Sequence, residues 1–147
     1  MEEILLKTES LSKSFSNGGD LQHVLKNIDL ELYKGDFTVI MGASGAGKST
    51  LLYALSGMDT PSLGRITFGD RVISELSTDG LAVFRREHCG LVFQQIYLIE
   101  SMSVMDNVMA AGLLVSKDKR ALVEKAEELF RAVDISQEIQ RKFPAQL

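Results

Sequence analysis

Gly42-Ala43-Ser44-Gly45-Ala46-Gly47-Lys48-Ser49-Thr50 is the stretch on which the reading of this chain turns. It fits G-x-x-x-x-G-K-[ST], a loop whose glycines let the backbone curl so that successive N–H groups point inward at phosphate oxygens. The apolar run Phe37-Thr38-Val39-Ile40-Met41 leads into it and predicts a strand; the apolar-periodic residues 49–55 lead out of it and predict a helix. That helix adds the positive end of its dipole where the loop gathers its N–H groups. Lys48 is spaced to reach the outer phosphates, and the Ser49 hydroxyl to ligate a Mg²⁺ ion. The pattern implies a nucleoside-triphosphate site.

Composition narrows the partners. At 147 residues the chain is long enough for one domain with a real core. A net charge of −4 leaves no basic excess to neutralise phosphates, so nucleic acid is excluded as the main partner. A single cysteine, Cys89, forms no intrachain disulfide and suits a reducing compartment. The start Met1-Glu2-Glu3 lacks the basic region of a signal peptide. No uncharged apolar window reaches the roughly 18 residues of a membrane helix; the nearest, residues 104–115, contains Asp106. These features predict a cytoplasmic chain that can still dock on a membrane partner. His23 and His88 have no partners at metal-ligand spacing and read as surface residues, as do Arg85 and Arg86 at a helix end.

Along the chain, residues 4–9 and 24–33 predict strands separated by a polar loop around Ser16-Asn17-Gly18-Gly19-Asp20. Gly57 is placed to end the first helix, residues 65–68 and 71–73 read as short strands, and Ser77 as the cap of a helix to about Arg86. Residues 89–93 read as a buried strand with Gln94 at its end. Beyond Gln94 the pattern turns helical. Ser103 with Asp106 is a capping-box signature for a helix to about Leu114. Ser116 predicts the cap of a second helix over 117–133, whose apolar stripe is Leu122, Val123, Ala126, Leu129, Phe130 and Val133. A last short helix ends before Phe143-Pro144.

A phosphate loop alone does not choose among kinase, GTPase and transporter ATPase. The β segment before the loop, the turn Gly57-Met58-Asp59-Thr60-Pro61-Ser62-Leu63-Gly64-Arg65-Ile66 and the run Gly90-Leu91-Val92-Phe93-Gln94 resemble the ABC-transporter ATPases. The residues after Gln94 (Leu98-Ile99, Met102-Ser103-Val104, Asp106-Asn107-Val108) resemble the lipoprotein-release, macrolide-export and antimicrobial-peptide-resistance branch. The resemblance covers essentially the whole chain. It implies an α/β fold: a P-loop NTPase core of ABC ATPase type, with an antiparallel β subdomain and the start of a helical subdomain. On that reading residues 1–147 form a single incomplete nucleotide-binding domain. Residues 1–95 hold the β subdomain and P-loop core, and 96–147 the Q-loop and part of the helical subdomain.

The resemblance also implies roles. Residues Gly42, Ala43, Ser44, Gly45, Ala46, Gly47, Lys48, Ser49 and Thr50 would hold ATP, with Phe15 stacking on adenine. Ser49 and Gln94 would attend Mg²⁺, and Lys48 and Gln94 would serve phosphoryl transfer. Ile96, Tyr97, Leu98 and Ile99 would form part of the surface that meets a transmembrane permease. The implied protein is the ATP-binding subunit of a transporter that exports or releases a substrate. It would be peripheral at the inner face of the plasma membrane and would pair as a homodimer when full length. The alternatives are a nucleotide-binding fragment without turnover and another P-loop NTPase such as a small-molecule kinase.

The departure from the family lies at Phe143-Pro144-Ala145-Gln146-Leu147, a run that in relatives leads into the Ser-Gly-Gly signature. That signature, the strand ending in Asp-Glu and the switch histidine are not in these 147 residues. The sequence thus predicts a carboxyl-terminal part missing from the chain and a gap in the central sheet. It also predicts little ATP hydrolysis by these residues alone.

Overall fold

A computed structural model of the chain describes residues 3–95 and 97–147. Contacts divide it into two compact units, residues 1–89 and 90–147.

The first unit is built on a long antiparallel hairpin. Strand β1 (Ile4–Asn17) pairs with β2 (Asp20–Tyr33) through a two-residue turn at Gly18 and Gly19. Both strands extend well past the predicted 4–9 and 24–33. Their backbones stay paired into the tight turn, because a two-residue hairpin turn continues the strand twist. Strand β3 (Leu63–Phe68) lies on the other side of β1, and the short β4 (Arg71–Val72) beside β3, giving the order β2-β1-β3-β4. The β1 ladder shifts register around Ser10, a non-glycine residue at φ 49° whose N–H donates to the Asp29 carboxylate at 2.6 Å. Opposite that irregularity sits Gly64 at φ 88°, where a Cβ would overlap the Ser10 carbonyl; only glycine fits.

Helix α1 (Lys48–Leu55) and helix α2 (Thr78–His88) belong to this unit, and a 3₁₀ turn, Ile73–Glu75, follows β4. Leu11, Leu25, Leu51, Leu55, Ile66 and Phe84 form one buried cluster, with Phe84 edge-on to Phe68 at 5.2 Å between ring centres. Ser77 caps α2 as predicted, its hydroxyl accepting from Gly80 N–H at 3.2 Å. Arg85 is no solvated helix end. It is half-buried and donates at 2.5 Å to the Gly57 carbonyl, just past α1, where a helix leaves carbonyls without intrahelical partners.

Two predicted strands are not strands. Residues 37–41 and 89–93 make no ladder among the described residues, and Phe37 (95% exposed), Met41 and Val92 face solvent. An apolar run becomes a strand only when a second strand satisfies its N–H and C=O groups. The sheet present here consists of β1 to β4 and gives these runs no edge.

The second unit is helical. Helices α3 (Val104–Leu113), α4 (Lys119–Ala132) and α5 (Gln137–Gln140) gather Val104, Ala126 and Phe130 in a small core flanked by Met105, Val108, Met109 and Ile135. The capping box is complete: Ser103 Oγ accepts from Asp106 N–H at 3.1 Å, and the Asp106 carboxylate accepts from Ser103 N–H at 3.3 Å. Helix α4 starts later than predicted, because the cap is Asp118. Its carboxylate accepts from both Arg120 N–H and Ala121 N–H at 3.1 Å, whereas Ser116 Oγ accepts from Asp118 N–H in the preceding turn. Only part of the predicted stripe is buried: Ala126 and Phe130 face the core, while Val123, Leu129 and Val133 are exposed.

Candidate functional site

The loop at 42–47 ends in Gly47, the N-cap of α1, at φ 87° in the left-handed region. A side chain there would be strained by φ and would press on the Val24 and Leu25 side chains and the Val24 carbonyl, each at 3.1 Å. Glycine lets the loop lie directly on β2. No side chain caps α1, and its first turn carries no acidic residue. The first N–H groups of a helix have no intrahelical acceptor, so this end presents donors and the positive dipole end to an anion.

Lys48 folds back over the loop. Its Nζ donates to the Gly42 carbonyl at 2.9 Å and to the Ala43 carbonyl at 2.7 Å. An ammonium satisfied by two loop oxygens can exchange them for phosphate oxygens with little movement. Ser49 and Thr50 stand in the first turn of α1, Ser49 exposed. The nine predicted loop residues run from this loop into the first turn of α1, and the donors they place there are the Lys48 ammonium and the first N–H groups of the helix. The uncapped, acid-free start of α1 and the Lys48 ammonium fit a polyphosphate, while the Gly42 and Ala43 carbonyls now hold that ammonium. Among the described residues no cluster of His, Cys, Asp or Glu is placed to hold a metal. A Mg²⁺ ion at this loop would take the Ser49 hydroxyl, with phosphate and water oxygens completing its shell.

Phe15 lies on β1, paired across to Gln22 and 43% exposed. Its neighbour two residues back, Lys13, pairs with Leu25, the residue that backs Gly47, so the aromatic and the loop share the same stretch of hairpin. Lys13 Nζ stands 5.1 Å from the centre of the Phe15 ring. The sequence shows the i, i+2 spacing of Lys13 and Phe15 and the turn around Asp59 and Thr60, but not that this turn holds Lys13.

Gln94 belongs to the second unit, exposed at a bend rather than at the end of a strand. Of the predicted partner-facing residues, Ile96 lies outside the described residues, Tyr97 and Ile99 are exposed, and Leu98 is half-buried. Ile99 is held by Asn107, which no motif had singled out for a role. Its side-chain oxygen accepts from Ile99 N–H at 2.7 Å, and its amide donates to the carbonyls of Ile99, Met102 and Ser103 at 3.0–3.2 Å. His23 and His88 are both exposed, as predicted, His23 Nδ1 lying 2.7 Å from Ser14 Oγ and His88 against the Phe68 and Phe84 rings. Burial pushes the Cys89 thiol above its ordinary pKa, with the nearby Arg85 charge opposing.

Comparison with known proteins decides among the phosphate-loop families. The family model described as ABC transporter matches residues 25–147. This chain belongs to the ABC transporter family. The lipoprotein-releasing system ATP-binding protein LolD of Idiomarina loihiensis is 37% identical over 147 residues, 100% of this chain and 64% of that protein. The macrolide export ATP-binding/permease protein MacB of Wolinella succinogenes is 37% identical over the same 147 residues, which are 23% of its length. Among solved structures, the ABC cassette MJ0796, a dimer in a post-hydrolysis state bound to ADP and Pi, matches with a TM-score of 0.89 and 28% identity. That match covers 97% of this chain and 62% of the cassette. This ABC family chain thus spans somewhat under two thirds of the LolD relative and of the solved cassette. Its fold is that of the corresponding part of an ABC ATPase, mixed α/β with an antiparallel sheet.

Proposed function

We propose that this chain is the ATP-binding part of an ABC transporter's ATPase, holding Mg-ATP on residues 42–50 with Phe15 against the adenine. The observation that carries this reading is the uncapped, acid-free start of α1 beside a loop whose own carbonyls already occupy the Lys48 ammonium. Backbone N–H groups of the loop and of the first turn of α1 bind the phosphates, Lys48 neutralises the outer ones, and the Ser49 hydroxyl takes the metal. Bound Mg²⁺ supplies charge neutralisation on the phosphate oxygens. Gln94 is assigned the water-orienting and metal-sensing role; this assignment draws on the family resemblance of residues 90–94.

The partner proposed is a transmembrane permease, met in part by the exposed Tyr97 and by Ile99, which Asn107 holds in place. Among the described residues no helix is long and apolar enough to cross a membrane; attachment to the inner face of the membrane through the permease is part of the same proposal. Pairing of two ATPase subunits is supported by the dimeric state of the MJ0796 cassette.

Binding and turnover separate experimentally. Titrating the 147-residue chain with a fluorescent ATP analogue while following phosphate release is expected to give saturable binding without steady release. The strand ending in Asp-Glu and the switch histidine that the resemblance expects for phosphoryl transfer are not among these 147 residues. Steady release that Lys48→Ala abolishes would show instead that these residues complete a catalytic centre.

A further inference from the structure

The structure points to a second determinant of the proposed adenine contact. We propose that Lys13 is a positioning residue for the Phe15 ring: clamped by Asp59 and Thr60, its ammonium stands over the ring and fixes the face offered to the base. The inference rests on the reading of Phe15 as the adenine-stacking aromatic.

Lys13 and Phe15 are two apart on β1 and so project to the same side of the strand. Lys13 is no free surface cation. Its side chain is only 12% exposed, and Nζ meets the Asp59 carboxylate at 2.5 Å and the Thr60 carbonyl at 2.7 Å. Asp59 is fixed in turn, accepting from Thr60 N–H at 2.8 Å. The same turn grips the strand's backbone. Ser62 N–H donates to the Ser12 carbonyl at 2.8 Å, and Ser14 N–H donates to Ser62 Oγ at 3.0 Å. Residues 59–62 follow α1 within a few positions, while Gly47 at the other end of α1 rests on Leu25, which pairs with Lys13. The aromatic is therefore held in one frame with both ends of the phosphate-loop helix.

A cation over one face of a phenyl ring is attracted to its negative quadrupole and penalises rotamers that leave it. It also draws electron density toward itself, leaving the far face less negative toward a stacked purine. Lys13 thus acts on base binding through Phe15 and has no reason to act on the phosphates.

The test uses the 147-residue chain with 4-fluorophenylalanine at position 15, titrated separately with ATP and with inorganic tripolyphosphate. Lys13→Met is expected to weaken ATP about 3- to 10-fold, leave tripolyphosphate unchanged and move the fluorine resonance of the free chain. Lys13→Arg, which keeps the cation, restores most of the ATP affinity. Lys7→Met, on the same strand but in an exposed ion pair with Glu9 and Glu31, changes neither. Equal weakening of both ligands, or an unmoved resonance in Lys13→Met, overturns the proposal and leaves Lys13 a mere strut. Phe15→Leu tests the underlying reading apart from it. Loss of ATP affinity with tripolyphosphate intact supports adenine stacking, whereas an unchanged ATP affinity refutes it, and the fluorine resonance then still decides whether Lys13 governs the ring.

Discussion

Residues 24–33 and 37–41 lie a few positions apart, and both are rich in apolar side chains, yet they meet opposite fates. The first run sits in β2, hydrogen-bonded to β1 along its length, with Leu25 buried and Ile28, Leu30 and Leu32 packed against the core. The second has no ladder among the described residues, and all five of its side chains are exposed. The contrast shows that strand formation belongs to a pair of segments. Apolar content supplies the motive for burial, but only a neighbour with free N–H and C=O groups supplies the means. The phosphate loop stands between the two regimes, since it leans through Gly47 on the paired hairpin while 37–41 leads into it.

The sharpest way to break the contrast is to damage the paired side. Phe84, 1% exposed and packed on Phe68, should cost about 3–5 kcal/mol of stability when replaced by alanine. Chemical denaturation of Phe84→Ala would check this, and a loss under about 1 kcal/mol would mean the first unit's core is loosely packed.

An intermediate effect is expected where structure is local. Ser103→Ala removes the hydroxyl of the capping box and should cost about 1 kcal/mol, seen as faster amide exchange in the first turn of α3. Unchanged exchange there would assign the helix start to packing alone.

The smallest effect belongs to the unpaired run. With Phe37 exposed, Phe37→Ser should change the stability of the 147-residue chain by no more than about 0.5 kcal/mol. A loss comparable to that of Phe84→Ala would show that residues 37–41 are covered in solution.

The same contrast explains what the sequence made legible. The phosphate loop, the capping box at Ser103 and the cap at Ser77 are local, each set by side chains within a few residues of the backbone they serve. The hairpin was visible in its alternation, though its length was not, since that depends on how tightly Gly18 and Gly19 turn. Residues 37–41 and 89–93 were misjudged because ladder partners cannot be read from the run itself. Asp118 outcompeted Ser116 as a cap because its carboxylate reaches two N–H groups, a geometric detail that both residue types left open. The contact of Lys13 with Asp59 and Phe15 needed the strand register and a turn 46 residues away. Likewise Arg85 reaches Gly57 across 28 residues.

The most direct test of the central claim is calorimetric titration of the 147-residue chain and its Lys48→Ala variant with Mg-ATP. If residues 42–50 are a triphosphate cradle, the chain binds ATP saturably and the variant binds at least about tenfold more weakly, the worth of a lost charge-assisted hydrogen bond. Equal affinities for chain and variant, or no saturable binding by either, would contradict it.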